Sequence, residues 1–151
     1  MPDCVFCEII EKKRPASIVY EDETVMAFMD YYPINAGHVL VVCKHHYSGL
    51  GETPQSVLSD MMQLVFRIER SLWLSELPCE GTNILHSHGK AAGQDVFHTH
   101  FHVVPRFVGD GFDIGSGTKA MNRTVLDDAA KAIVKGLSLV VFVFGLAAYS
   151  F

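Results

Sequence analysis

The chain is poor in charge. Only 19% of its 151 residues are Asp, Glu, Lys or Arg, and 17 acidic residues against 12 basic ones leave a net charge of −5. That balance excludes a general nucleic-acid binder, which holds phosphates through an excess of Lys and Arg. Internal repeats and low-complexity segments are missing, and apolar residues reach 49%, so the chain is not intrinsically disordered. Met1-Pro2-Asp3-Cys4 has no basic segment leading into an apolar run. No secretory leader is therefore expected, and the setting is cytoplasmic with reduced thiols. The apolar C-terminal stretch, residues 137–151, would reach about 22 Å as a helix, short of the roughly 30 Å hydrocarbon core. It is expected to pack on the domain or to be buried in a dimer, not to span a membrane.

What the chain does carry is histidine in a pattern. His98, His100 and His102 alternate with Thr99, Phe101 and Val103, and a period of two with β-branched and aromatic residues between is the signature of a strand. The three imidazoles then leave one face, about 6.6 to 6.8 Å apart, close enough to meet one anion, one metal or one reacting phosphorus. Clustered imidazoles with Gly93-Gln94 just upstream suit phosphate or metal chemistry better than mere solubility.

The remaining elements read in order. Residues 4–13 form a short amphipathic helix with Phe6, Ile9 and Ile10 inward. Strands at 17–21 and 24–30 meet in a hairpin at Asp22-Glu23, and residues 38–43 are an almost continuous β-branched run that suits a central strand. Thr53 as N-cap and Pro54 at the first helical position open a long helix over about 54–77, striped by Leu58, Met61, Val65, Ile68 and Leu72. A further strand covers 82–87. After Pro105, Gly109, Gly111, Gly115 and Gly117 mark a flexible segment, followed by a helix over about 124–136. This order predicts an α+β fold: an antiparallel sheet of about five strands with helices packed on one face. Residues 1–107 would be the core, and 108–151 an extension packed on the same domain.

Gly93-Gln94-x-Val96-x-His98-x-His100-x-His102-Val103-Val104-Pro105-Arg106 resembles the histidine-triad (HIT) superfamily. So do Cys4-x-x-Cys7 with Ile9-Ile10, Phe28-x-Asp30, Gly37-His38-x-Leu40-Val41-Val42 and Lys44-x-His46. The likeness runs over about residues 3–107, and the Hint branch, similar to adenosine phosphoramidases, is resembled most. It implies a homodimer binding purine nucleotides (AMP or GMP derivatives), with the triad at the α-phosphate. His100 would be the nucleophile that forms a nucleotidyl-histidine intermediate, and His102 a donor to a phosphate oxygen. Backbone N–H groups at Gly93, Gln94, Asp95 and Val96 would assist. Asp30 would accept the ribose hydroxyls, Phe6, Ile9 and Phe28 would wall the base, and His38 would support the triad. The alternatives are a dinucleoside polyphosphate hydrolase and a nucleotide- or zinc-binding regulatory dimer without turnover.

Cys4, Cys7, His46 and His98 match the four-ligand set of a closed zinc site, which several Hint-like proteins resemble. His98 would then anchor the strand. His45 competes, but neighbours in an extended segment point oppositely. Two positions depart from the family pattern: Asp95 follows Gly-Gln where a serine or small residue is common, and His88 stands before Gly89 where Asn is common.

Overall fold

The structure, a computed structural model, describes residues 4–112 and 120–147, the side chains of 140–147 excepted. Gly115, Gly117 and the last four residues of the apolar stretch lie outside the described residues. Five strands make one sheet: β1 (Ile18–Glu21), β2 (Val25–Met29), β3 (Val39–Cys43), β4 (Gly81–Leu85) and β5 (His100–Arg106). Their spatial order is β1-β2-β3-β5-β4, every neighbour antiparallel. The β1–β2 turn is built as its sequence predicts, because Asp22 Oδ1 accepts the N–H groups of Thr24 and Val25 at 2.8 Å each.

Among the described residues three α-helices complete the architecture: α1 (Val5–Ile10), α2 (Gln55–Leu74) and α3 (Arg123–Ala147). Alternation sorts the central strands by face. Val25, Ala27, Met29, Val39, Val41, Cys43 and Val103 pack under the Met61-Leu64-Val65-Ile68-Leu72 stripe of α2 and the Leu126-Ala129-Ala130-Ile133-Leu137 stripe of α3. On the opposite face Met26, Phe28, Leu40 and Val42 meet Cys4, Phe6 and Ile9. The helices are therefore not confined to one face: α1 covers part of the other and leaves a cleft beside it.

Two boundaries also differ from expectation. Thr53 does not cap α2, whose N-cap is Pro54. Its hydroxyl bonds Gly49 O at 3.0 Å and Thr99 Oγ1 at 2.8 Å instead, tying the loop before α2 to the triad segment. The C-terminal helix does not stop near 136 but continues to Ala147 as one element. Gly136 lets it approach α2: a Cβ there would sit 2.6 Å from Ser71 O, closer than atoms pack. Among the described residues, no helix is long and apolar enough to cross a membrane.

Candidate active site

β3 and β5 pair with Leu40 opposite His102 and Val42 opposite His100, so the imidazoles project from the α1 face. A cleft of about 990 Å³ opens there. Its apolar wall includes Phe6, Ile9 and Phe28, and its polar lining includes Asp30, His38, His100, His102, Ser87, Gly93, Asp95 and Val96. Phe6 meets His100 edge to face with centroids 5.1 Å apart.

Hydrogen bonds fix which nitrogen of each ring carries the proton, since a carbonyl only accepts and an N–H only donates. His100 Nδ1 donates to His98 O at 2.6 Å, leaving Nε2 bare. His38 Nδ1 accepts the Ile34 N–H at 3.0 Å, so its proton sits on Nε2 and is donated to His102 Nδ1 at 2.9 Å. His102 must then carry its own proton on Nε2. Burial holds all three rings neutral: it lowers His100, takes His102 down to about 4 and takes His38 down to about 3, with neighbouring imidazoles adding to each. The result is one ring with a free lone pair beside one with a free N–H.

Asp30 closes this chain of polar groups. Its Oδ1 accepts the Tyr32 N–H at 2.9 Å, and its Oδ2 lies 3.4 Å from His38 Nε2 and 3.7 Å from His102 Nδ1. The shorter contact takes the His38 proton to His102. Burial pushes the Asp30 carboxyl up to about 6 against the opposing Tyr32 hydrogen bond. These three residues could gather around a cation by distance alone, but the His38 proton between them makes a hydrogen-bond relay instead.

Beside the cleft, Cys4, Cys7, His46 and His98 bring four ligand atoms within 4.8 Å of one another. The His98 Nδ1 lies 3.5 Å from Cys4 Sγ and 3.6 Å from Cys7 Sγ, and Cys7 Sγ lies 3.3 Å from His46 Nδ1. Ligands held at zinc distances around a tetrahedral centre are separated by about 3.3 to 3.8 Å, which these spacings match. His98 Nε2 donates to Cys43 O at 2.7 Å, so Nδ1 is bare as a ligand must be. Burial and the neighbouring Cys4 push the Cys7 thiol up to about 11. The set fits zinc. His45 is exposed and stacks near Tyr47, leaving His46 as the histidine that reaches.

Two of the residues proposed from sequence are not brought to the cleft. His88 is exposed, with its ring over Gly49, and Ser87 lines the cleft in its place. Gln94 is buried: its Oε1 accepts the Gly89 N–H at 2.7 Å, and its Nε2 donates to Ser48 O at 2.8 Å and Val96 O at 3.1 Å. It holds the loop in shape. The N–H groups of Gly93 and Gln94 are spent on Lys90 O and Gly89 O, whereas those of Asp95 and Val96 donate to nothing among the described residues.

Three participants had no signal in the histidine pattern. His86 Nδ1 donates to His100 O at 2.8 Å, bracing the central histidine from behind. Its Nε2 is buried without a partner among the described residues. Arg14 and Arg123 line the cleft at the β1 edge. Arg123 donates to Ser17 Oγ at 2.9 Å, and Ser17 in turn donates to Asp127.

Comparison with known proteins agrees with this architecture. The HIT domain model matches residues 11–109. An uncharacterized HIT-like protein of Methanocaldococcus jannaschii is 42% identical over 130 residues, covering 86% of this chain and 98% of that protein. An adenosine 5′-monophosphoramidase of Candida albicans is 37% identical over 106 residues, covering 68% and 70% of the two chains. The crystal structure of a Zn-bound histidine triad family protein from Mycobacterium smegmatis superposes with a TM-score of 0.82 at 36% identity, covering 91% of this chain and 95% of that one. With the triad on its strand, the cleft against α1 and these relatives in sequence and fold, the chain belongs to the HIT family.

Proposed function

We propose that the protein hydrolyses purine nucleoside 5′-phosphoramidates at the α-phosphate through a covalent intermediate on His100. The observation that carries this reading is the hydrogen bond from His100 Nδ1 to His98 O, 2.6 Å long, which leaves the Nε2 lone pair free inside the cleft. That lone pair attacks phosphorus as the P–N bond to the amine breaks. The electron pair leaves on the amine nitrogen, which takes a proton from solvent. The His98 carbonyl stabilises the positive charge that phosphorylation places on the ring. Water then attacks phosphorus and loses a proton to solvent, the P–Nε2 bond breaks, and its electron pair returns to His100 as the nucleoside monophosphate departs.

His102 Nε2–H and the amides of Asp95 and Val96 are the donors available to the non-bridging oxygens as negative charge grows there. Phe6, Ile9 and Phe28 offer an apolar wall to the base, and Asp30 is the acceptor for the ribose hydroxyls. Zinc, when bound by Cys4, Cys7, His46 and His98, supplies a structural cross-link between α1 and the segment leading into β5. A homodimer completes the reading: Met62 and Trp73 on the outer side of α2 and Ile84 on the edge strand β4 are exposed apolar residues that a second copy would cover. A cytoplasmic setting, with both zinc-site thiols reduced, belongs to the same reading.

The test is turnover of adenosine 5′-phosphoramidate against diadenosine polyphosphates, with His100→Ala alongside. Phosphoramidate cleavage that falls at least about 10³-fold in the variant is expected, together with a trappable nucleotidyl-protein in the wild type that is stable in alkali and labile in acid, as a P–N bond to imidazole is. Full activity in His100→Ala refutes the mechanism. A wild-type preference for the polyphosphates replaces the leaving group, and inactivity on both leaves a regulatory nucleotide binder.

A further inference from the structure

The cleft is electrically lopsided. Among the described residues its charged lining consists of Arg14 and Arg123 with Asp30 and Asp95. The sheet order β1-β2-β3-β5-β4 places them. Arg14 lies in the connection from α1 to β1, and Arg123 bonds Ser17 just before β1, so both arginines sit at the β1 edge. Asp30 follows β2, and the histidines of β5 come next. Asp95 lies beyond them in the β4–β5 connection, at the far end with Leu85, Ser87 and Gly93. The β4 end thus lines the cleft with one charge, and it is negative.

This matters because a base on Phe6, Ile9 and Phe28 and a phosphorus at His100 leave only the β4 end for the departing group. Asp95 is exposed, and its carboxylate has no hydrogen bond or ion pair among the described residues. It is neither needed to hold the fold nor neutralised by a neighbour. A carboxylate free at the exit repels an anionic leaving group and attracts a cationic one. Exposed Asp95 differs here from Asp110, whose carboxylate is fully taken up by Arg106 at 2.6 and 2.8 Å.

Building on the phosphoramidase reading, we propose that Asp95 is the specificity-determining side chain for the leaving group: it selects amines that carry an additional positive charge and rejects anionic ones such as a nucleotide or a carboxylate-bearing amine. The chemistry at phosphorus is unchanged. Only the charge of the group that takes the P–N electron pair is sorted.

The experiment compares kcat/KM for adenosine 5′-phosphoramidates of three amines of equal length, ending in an ammonium, a neutral amide or a carboxylate. Wild-type protein should prefer the ammonium over the carboxylate substrate by at least about tenfold, with the preference shrinking as salt is raised. In Asp95→Asn that ratio should fall toward unity, and in Asp95→Lys it should invert. A wild-type ratio near unity, or one that survives in Asp95→Asn, overturns the assignment. If the neutral substrate is still turned over in a His100-dependent way, the phosphoramidase reading stands without it. If no phosphoramidate is turned over, that reading fails. Calorimetric binding of non-hydrolysable N-acylsulfamoyl adenosines ending in an ammonium or a carboxylate then decides Asp95 alone. A preference for the ammonium probe that is lost in Asp95→Asn supports the assignment, and equal binding overturns it.

Discussion

Asp30 is where the site works against the stability of the fold, and Asp30→Asn measures by how much. Its carboxyl is pushed from 3.8 to about 6 by burial. Between those values the folded protein holds more protons than the unfolded chain, so the wild type loses stability as pH rises through the window. At 1.36 kcal/mol for each factor of ten in proton affinity, the cost at pH 7 is about 2 to 3 kcal/mol. The asparagine variant has no such titration. It keeps an oxygen for the Tyr32 N–H, and any mismatch of its NH₂ against His38 Nε2–H is independent of pH. The depressed His38 and His102 titrations have the opposite sign, stability being lost as pH falls toward their folded values of about 3 and 4, but they are common to both proteins.

Urea denaturation of the two proteins from pH 4 to pH 8 should therefore show a stability difference that moves in favour of Asp30→Asn as pH rises and levels off above about pH 7. Nucleoside monophosphate binding should move the other way, with the variant weaker by about 10- to 100-fold, the worth of a charged acceptor for hydroxyl donors. A stability difference flat with pH, or one that moves in favour of the wild type as pH rises, would refute the reasoning that burial raises this carboxyl.

Other consequences are as open to measurement. His38→Phe removes the donor that keeps the His102 proton on Nε2, and should lower kcat about 10- to 100-fold with little change in KM; a change confined to KM would count against the relay. Cys4→Ser should reduce bound zinc, measured by atomic absorption, below that of the wild type, and lower the melting temperature. Unchanged metal content would remove the site. Gly136→Ala would ordinarily stabilise a helix by up to about 1 kcal/mol, yet the 2.6 Å approach to Ser71 O predicts the reverse sign, a loss of about 1 to 3 kcal/mol read by thermal melting.

Which parts were legible in sequence follows from where their determinants lie. β2, β3 and α2 are specified by their own side chains. A β-branched run or a three-four stripe is visible without a partner, and the Asp22 turn is a local hydrogen-bond pattern. Local signals fail where the deciding group is distant. The stripe of Phe6 and Ile9 announces a helix, but nothing in it says which sheet face it covers. Residues 137–147 are so uniformly apolar that they lose the period that would have joined them to α3. His88 draws attention because it stands before Gly89 where the family has Asn, whereas it is Ser87 that lines the cleft. The backbone N–H of Gln94 is expected at the phosphate because of its neighbours, and it is spent on Gly89 O.

The same reasoning explains why evenly spaced histidines need not be equivalent. A ring's role depends on which nitrogen holds the proton, and that is decided by the atom at the far end of its hydrogen bond: Cys43 O for His98, His98 O for His100, and His38, itself set by Ile34 N–H, for His102. None of these partners is readable from the alternation. His98 is the point where two of the assignments meet, since its ring faces Cys4 and Cys7 while its carbonyl receives the His100 proton. Whatever holds the His98 ring also holds that carbonyl, so a metal bound on the cysteine side would act on the proposed nucleophile through one residue and without contact with substrate.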